Sequence, residues 1–363
     1  MADSTLRMDH IGSLIRPQKL LDARAEWKAG KLSRDDLRRV EDDAIEETLA
    51  IQRNAGIEIY TDGELRRDSY MTHLYEAVDG FQKEYPIREE KLPDGTIQRV
   101  ELHGKPVVGK LRSKGRIAKD ETEYMLSHSP GRFKITQHSP AQAFGWQPSE
   151  AYPTIDACRD DMTAIVRDEL VALAAQGVKY LQMDEGLSGG FVREGWYDQQ
   201  VAAGNDPDKL LEAAIASENL CWDSLPDTVI KGTHICRGNR VRVGGKGGYD
   251  WVAENAFGRL HVDRYLLEYD SERAGGFEPL RFVPKGKIVV LGLISTKTPE
   301  METVDGLRRR IDEASKYLPV DQLALSPQCG FQSAANPDGA FMTMDDQKRK
   351  LELLAETTRK VWG

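Results

Sequence analysis

The alternation of short apolar runs with helical patterns predicts a (βα)8 TIM barrel for this chain of 363 residues. Three observations carry that expectation. Eight strand-like runs finish in polar or glycine-rich residues, near Ser13, Glu64, His138, Asp184, Cys236, Glu268, Ser295 and Cys329. Helical patterns separate most of these runs. Side chains with metal-binding chemistry fall at the fifth, sixth and eighth ends, which a closed barrel brings together and an open doubly wound sheet does not. The expected organisation is one catalytic barrel over residues 1–363, with an inserted β-hairpin excursion at about 75–125.

Composition narrows the function classes. The net charge of −9 argues against a nucleic-acid footprint. No run of 18 apolar residues occurs, so no membrane span is expected. Met1-Ala2-Asp3-Ser4 has no basic segment leading into an apolar one, so no signal peptide is expected. The 4 cysteines are widely spaced and do not read as a disulfide framework, which suits a cytoplasmic protein. Cys158 and Cys221 lie in helical patterns and read as packed thiols. Cys236 and Cys329 sit at strand ends among glycine and polar residues.

In chain order, Asp9-His10-Ile11-Gly12-Ser13 opens the fold as a short strand. Ser33 caps a long helix with Asp35 and Asp36 in its first turn and Gly56 beyond its end. Ile57 to Tyr60 is the next strand and delivers Thr61-Asp62-Gly63-Glu64. The excursion holds β-like runs at Thr96–Leu102 and Pro106–Leu111, with a turn signal at Pro93-Asp94-Gly95. It reads as an inserted hairpin rather than a separate domain, and equally as a lid or a dimer contact; Lys110 and Arg112 are candidates to reach the site, with a solvated face the commoner role of such charges. Arg132 to Thr136 leads to His138, a helix runs from Ile155 to Gln176, and Val178 to Met183 leads to Asp184-Glu185-Gly186. A helix from Pro207 to Leu225 precedes the strand ending in His234 and Cys236. Gly244-Gly245-Lys246-Gly247-Gly248 lacks P-loop spacing and reads as a mobile loop over the site. Val262 to Leu267 leads to Glu268, Lys287 to Leu293 to Ser295, and Leu323-Ala324-Leu325 to Cys329. Helices are expected at Glu300–Tyr317 and Asp345–Val361.

His234 and Cys236 stand two apart on an extended backbone, so both project to one side and can meet one ion. Imidazole with thiolate is a zinc pair, and Glu268 and Cys329 are the candidate completing ligands. Two thiolates make zinc electron-rich. Such a centre activates water poorly and stabilises a substrate thiolate well, so the chemistry points to thiol alkylation. Glu64 and Asp184 fit acid–base work or the grip of an ammonium group. The backbone at Gly12 and Ser13 fits a carboxylate. A zwitterionic amino acid bearing a thiol matches this set, and homocysteine is one.

These residues resemble the catalytic barrel of cobalamin-independent methionine synthase. The matching pieces are Asp9-His10-Ile11-Gly12-Ser13, Asp62-Gly63-Glu64, Gln182-Met183-Asp184-Glu185, His234-Ile235-Cys236, Leu267-Glu268-Tyr269-Asp270-Ser271 and Ser326-Pro327-Gln328-Cys329-Gly330. Cys236-Arg237-Gly238-Asn239 and Asp270 to Gly275 resemble short, single-barrel bacterial members. The resemblance implies that His234, Cys236, Glu268 and Cys329 bind Zn2+. It implies that Ile11, Gly12, Ser13, Glu64 and Asp184 hold homocysteine, and that 5-methyltetrahydrofolate gives the methyl group. The chain departs from the family in three ways. The long members' N-terminal barrel has no counterpart. Leu293-Ile294-Ser295-Thr296 lacks the His that protonates the leaving folate. The family's Asp-Glu-Pro is Asp184-Glu185-Gly186. His138 is the candidate replacement proton donor, beside Asp184 as the second candidate catalytic group.

Two other readings compete. A related alkyltransferase would use another thiol or electrophile, such as an epoxide with coenzyme M. The carboxylates Glu64 and Asp184 disfavour a sulfonate thiol. A non-catalytic zinc or homocysteine-binding barrel would bind without turnover. The expected partners are a small-molecule thiol and a methyl donor, with neither nucleic acid nor membrane, and with self-association into a homo-oligomer open.

Overall fold

The computed structural model describes residues 6–91, 97–101, 104–129, 132–140, 146, 148–184, 186–187, 190–237, 247–334 and 342–363. The turn at Pro93-Asp94-Gly95, Glu185, Gly238-Asn239 and Gly244-Gly245-Lys246 lie outside these residues.

Among the named strands, those of the excursion come first in chain order. It comprises β1 (Val78–Phe81), β2 (Ile87–Lys91), β3 (Ile97–Glu101) and β4 (Val107–Ser113). The two β-like runs of the sequence each take a different partner strand. β4 pairs with β1 and β3 with β2, both antiparallel, so one pairing nests inside the other. The sequence hid β2 because Arg88-Glu89-Glu90-Lys91 has no apolar alternation to mark a strand. Lys110 does face solvent partners, pairing with Asp161 at 2.5 Å.

Six parallel strands then build the central sheet: β5 (Ile135–His138), β6 (Tyr180–Asp184), β7 (Ile230–Ile235), β8 (Arg264–Glu268), β9 (Ile288–Ile294) and β10 (Leu323–Pro327). They lie side by side in chain order. Every residue of β6, β8, β9 and β10 is buried, as strands covered on both faces must be.

The two first expected strands are each reduced to a single parallel bridge, Met8 with Leu325 and Tyr60 with Phe133. Side chains occupy the backbone groups that a ladder would use. Asp9 Oδ1 accepts from the His10 N–H at 2.9 Å, and Gln52 Oε1 accepts from the Thr61 N–H at 3.0 Å. The two segments lie against the opposite edges of the sheet, beside β10 and β5. They also meet each other: the Leu14 N–H donates to Gly63 O at 3.0 Å, and Thr61 Oγ1 donates to Gly12 O at 2.7 Å. This α/β arrangement is consistent with a (βα)8 barrel.

Alternation places Lys134, Thr136 and His138 on one face of β5. By the same rule Tyr180, Gln182 and Asp184 share a face of β6, and Arg264, Leu266 and Glu268 a face of β8. The contacts agree. Lys134 Nζ lies 2.6 Å from both Asp9 Oδ1 and Gln182 Oε1, and Tyr180 OH donates to Asp9 Oδ2 at 2.7 Å. Above this ionic layer Ile11, Leu266, Ile288, Val290 and Ala324 form an apolar cluster separate from the main core. The larger core lies between the other face and the helices. Removing one partner of a buried pair such as Asp9–Lys134 costs roughly 3–5 kcal/mol, so this layer fixes the sheet beneath the site.

The helix Arg34–Ala55 has the expected caps, with Ser33 accepting from the Asp36 N–H and Gly56 left-handed at φ 81°. The helix Ile155–Gln176 ends at left-handed Gly177 as expected. The helices Pro207–Trp222 and Val304–Ala314 are shorter than their apolar patterns; the second starts only where Thr303 caps it. The helix Met344–Trp362 closes with a capping box at Thr343 and Asp346. Among the described residues no helix is long and apolar enough to cross a membrane.

Candidate metal centre and the pocket beside it

His234 lies on β7, with Cys236 two residues on; Glu268 is the last residue of β8, and Cys329 follows β10. One ligand atom from each of the four lies within 4.8 Å of all the others. The two sulfurs are 3.9 Å apart. His234 Nδ1 lies 3.1 Å from Leu266 O, which fits the tautomer that donates there. Its Nε2 is buried without a hydrogen-bond partner and is turned into the cluster of donors.

The electrostatics show what the cluster lacks. The Cys236 thiol is pushed well above its ordinary range, by the Cys329 sulfur beside it, by burial, and by the charges of Cys329 and Glu268. His234 is driven up to about 9: burial opposes its charged form, but Cys236, Asp184 and Glu268 outweigh it. Four donors thus converge with too much negative charge, and a divalent cation reverses that penalty. The donor set fits zinc chemistry.

Glu268 is held differently from the other three. The Arg237 backbone N–H donates to its Oε1 at 2.5 Å. Arg273 Nη2 donates to its Oε2 at 2.7 Å, and Lys297 Nζ lies 3.4 Å from the same oxygen. Asp270 Oδ2 receives Lys297 at 3.2 Å and Ser295 Oγ at 3.2 Å. Thus Ser295 and Lys297, after β9, belong to a carboxylate–cation network at the rim. Sequence reading gave Arg273 and Lys297 no role, because charged residues in loops look like solvated ones.

The expected amino-acid pocket gathers next to this cluster. Gly12 has φ +146°, and a Cβ there would lie 2.8 Å from Glu64 Oε1 and from the Thr136 methyl. Only glycine allows the chain to pass so close to the Glu64 carboxylate. Glu64 itself has φ 56°, the sole positive φ outside glycine among the described residues. Such a conformation costs roughly 1–3 kcal/mol and tends to persist where a side chain must be aimed. Thr136 Oγ1 donates to Glu64 Oε1 at 2.9 Å, while Oε2 is buried without a hydrogen-bond partner. Ser13 packs against Gly330, next to Cys329, and its carbonyl accepts from the Phe331 N–H at 2.9 Å. Ile11 belongs to the apolar cluster and gives its carbonyl to Gln182 Nε2 at 2.7 Å.

Asp184 closes β6 opposite His138 on β5 and His234 on β7. Gln182 Nε2 donates to Asp184 Oδ1 at 2.6 Å. Burial and then the charge of Glu64 push Asp184 up to about 7, with His234 opposing. A second carboxylate beside the buried Asp184 favours a cation between the two, on the side of Glu64 away from Arg67, whose Nη1 stands 3.6 Å from Glu64 Oε1. His138 is buried, and its pKa is pushed down to about 3 by burial and by the Arg67 charge. A neutral imidazole at pH 7 does not match the proton donor expected there. Sequence reading also missed the support under Asp184, namely Gln182, Lys134 and Asp9. The visible signal was a lysine inside an otherwise apolar strand run, two residues before Thr136.

Residues 7–344 match the family described as cobalamin-independent synthase, catalytic domain. The chain belongs to that family. An uncharacterized Bacillus subtilis protein, YxjG, is 33% identical over 98% of this chain and 94% of its own length. A methionine synthase from Pyrococcus abyssi is 25% identical over 89% of this chain and 85% of its own length. A Listeria monocytogenes structure, provisionally named as a vitamin-B12-independent methionine synthase, superposes with a TM-score of 0.75 at 26% identity, covering 98% of this chain and 97% of that one. A B12-independent methionine synthase from Shewanella, solved with selenomethionine, shares the fold with a TM-score of 0.73 at 21% identity, over 98% of both chains.

The family's Asp-Glu-Pro is broken here for a reason visible in the fold. A Cβ at Gly186 would lie 1.8 Å from Thr233 Oγ1, and the Gly186 N–H donates to His234 O at 3.2 Å. A proline has neither the room nor the hydrogen.

Proposed function

We propose that this protein transfers a methyl group to the thiol of homocysteine, forming methionine, with Zn2+ held by His234, Cys236, Glu268 and Cys329. The observation that carries this reading is the adjacency of two unlike sites. A cluster of thiols, imidazole and carboxylate lies beside Asp184, whose pKa is raised by burial and then by Glu64. The first suits a thiol-binding metal and the second an amino acid's ammonium group.

In this reading Glu64 and Asp184 receive the ammonium, and the Gly12–Ser13 backbone receives the carboxylate. When bound, zinc would keep the substrate sulfur as a thiolate at neutral pH. The residues then position that sulfur for in-line attack on a methyl carbon, where orientation is worth more than acid–base help. Glu268 has Arg273 and Lys297 as ready partners, and these would hold its carboxylate if a substrate sulfur took its place at the metal. Asp184 acts by binding and orienting, and His138 by hydrogen bonding through a neutral ring. The catalytic unit spans residues 1–363 with β1 to β4 as its excursion, and a cytoplasmic location would keep its thiols reduced.

The resemblance implies 5-methyltetrahydrofolate as donor. Methionine formation by mass spectrometry, from zinc-loaded protein, homocysteine and candidate donors, tests the reading. Product that vanishes in Cys236→Ser supports it. Zinc-loaded protein that does not bind homocysteine overturns it.

A further inference from the structure

A cavity of about 900 Å3 opens among the segments that follow β6, β7 and β8. It shares a wall with the metal-type cluster, because Arg273 lines it and donates to Glu268 at 2.7 Å. The rings of Phe191, Tyr197 and Trp251 form part of its lining. Trp251 lies 6.0 Å from Phe191 and 5.4 Å from Tyr197, centroid to centroid, and Trp196 backs Phe191 at 4.7 Å. Glu194, Asp198, Asp250 and Glu272 edge the same space. Among the described residues none of these four carboxylates has an ion-pair partner. Of the two lining arginines, Arg273 is engaged by Glu268, which leaves Arg193. Among the described residues the lining is therefore aromatic and anionic.

Aromatic faces edged by carboxylates bind cations that cannot donate hydrogen bonds, such as sulfonium and quaternary ammonium ions. An anionic donor such as a folate glutamate would meet these four carboxylates. An independent observation agrees. A neutral amine leaving group needs a proton on departure, and the segment after β9 offers Ser295, Thr296 and Lys297 in place of an imidazole. Lys297 is already engaged by Glu268 and Asp270, at 3.4 and 3.2 Å. An onium group leaves as a neutral molecule and needs no proton.

We propose that the methyl donor of this protein is a methyl-onium compound, a sulfonium or a quaternary ammonium ion, bound in the cleft of Phe191, Tyr197 and Trp251. This rests on the homocysteine reading of the adjoining site. The homocysteine thiol loses its proton to solvent on binding. The thiolate forms a bond to the methyl carbon, and the bond from that carbon to the onium centre breaks with both electrons on sulfur or nitrogen. The products are methionine, a neutral thioether or tertiary amine, and the one proton released.

The test uses the zinc-loaded full chain and four probes: S-methylmethionine, choline, 3,3-dimethylbutan-1-ol (the uncharged isostere of choline) and homocysteine. Binding is read by tryptophan fluorescence and calorimetry. Expected are saturable binding of S-methylmethionine or choline, and binding of the uncharged isostere weaker by about tenfold or more, the scale of a cation–π contact. Trp251→Ala should weaken the onium probe by a similar factor while homocysteine affinity changes less than twofold. Phe191→Leu and Asp198→Asn serve if Trp251→Ala does not fold. Which probe saturates separates sulfonium from ammonium. Transfer is read with the CD3-labelled form of the onium that binds, whose label should appear in homocysteine-derived methionine. Saturable binding of neither onium overturns the proposal, as does choline that binds no more tightly than its isostere when S-methylmethionine does not bind, or folate-supported turnover with no transfer from either onium. Failure of homocysteine to bind, with onium binding intact, strikes the underlying reading instead.

Discussion

Gly186 is wedged against Thr233: a Cβ on residue 186 would fall 1.8 Å from Thr233 Oγ1. Both residues adjoin the site, since Gly186 follows Asp184 by two positions and Thr233 directly precedes His234. Gly186→Ala drives a methyl into the Thr233 hydroxyl and against the Glu218 carboxyl, and an overpacked buried position costs about 1–3 kcal/mol. Gly186→Pro additionally removes the hydrogen bond to His234 O. We expect both variants to melt earlier, with the proline worse, and to bind zinc less tightly. Thr233→Gly should restore much of the loss in Gly186→Ala, because it removes the clashing atom. Melting curves and zinc content of the two single variants and the double variant check this; simple additivity would show that the clash is not the cause.

Glu218, on the helix Pro207–Trp222, is fully buried behind the same strand ends. Ser139 Oγ lies 3.4 Å and Thr233 Oγ1 3.5 Å from its carboxyl oxygens. Burial pushes its pKa up to about 8 from the ordinary 4.5. The folded chain therefore holds one proton more than the unfolded chain between those values. Stability contributed by the neutral carboxyl is present at low pH and falls as pH rises from about 4.5 to about 8. Glu218→Gln keeps the shape without the ionisation, so its stability should exceed that of the parent most at pH 8 to 9 and least near pH 5. Denaturant titrations across that range measure the difference; parallel pH profiles would sink the idea.

What could be read in the sequence followed from spacing. His234 and Cys236 share a face by alternation, and the same parity stacks Tyr180, Gln182 and Asp184. Such patterns survive because a two-residue period is imposed by the strand itself. Glu64 and Gly12 were legible as residue types, but their contact needed the fold. The grip of Arg273 and Lys297 on Glu268 had no linear signal, since pairing in a loop depends on where the loop returns. The Met8 and Tyr60 segments read as strands, yet side chains of Asp9 and Gln52 took the backbone hydrogen bonds that a ladder requires. The β2 strand was invisible because its residues are charged and its stability comes from pairing with β3.

Cys329 lies 3.9 Å from Cys236 and contributes to the penalty that keeps the latter protonated. Cys329→Ser should lower zinc affinity by more than the roughly 10–100-fold typical of losing an outer partner. The readout independent of turnover is the sulfur-to-metal charge-transfer absorption of Co2+-substituted protein, which should fall by about half with one of two thiolates gone. Unchanged absorption and unchanged zinc content would remove Cys329 from the centre. Arg273→Met is the informative companion. It deprives Glu268 of its strongest rival partner, so zinc should bind at least as tightly as in the parent, while the excess charge on Glu268 raises the cost of displacing it.

Glu64 and Asp184 provide the sharpest test of the acceptor. Asp184 is raised to about 7 by burial and by Glu64. An ammonium group between the two would stabilise both charged forms and so release a proton on binding. Homocysteine affinity should therefore strengthen as pH rises through about 7, until the ligand's own ammonium deprotonates. Glu64→Gln removes one half of the cation hole and the neighbour that raises Asp184. We expect homocysteine affinity to fall by about tenfold or more, on the scale of one charge-assisted hydrogen bond, and its pH dependence to shift to lower pH. A thiol lacking the amino group, such as 3-mercaptopropionate, should bind the parent weakly and be indifferent to Glu64→Gln. Calorimetry in two buffers of different protonation enthalpy counts the protons released, and the excess of the parent over Glu64→Gln is the share of Asp184, since the thiol proton is lost in both. A parent that releases no more protons than the variant, and a Glu64→Gln variant that binds both thiols as the parent does, would take the ammonium away from these two carboxylates.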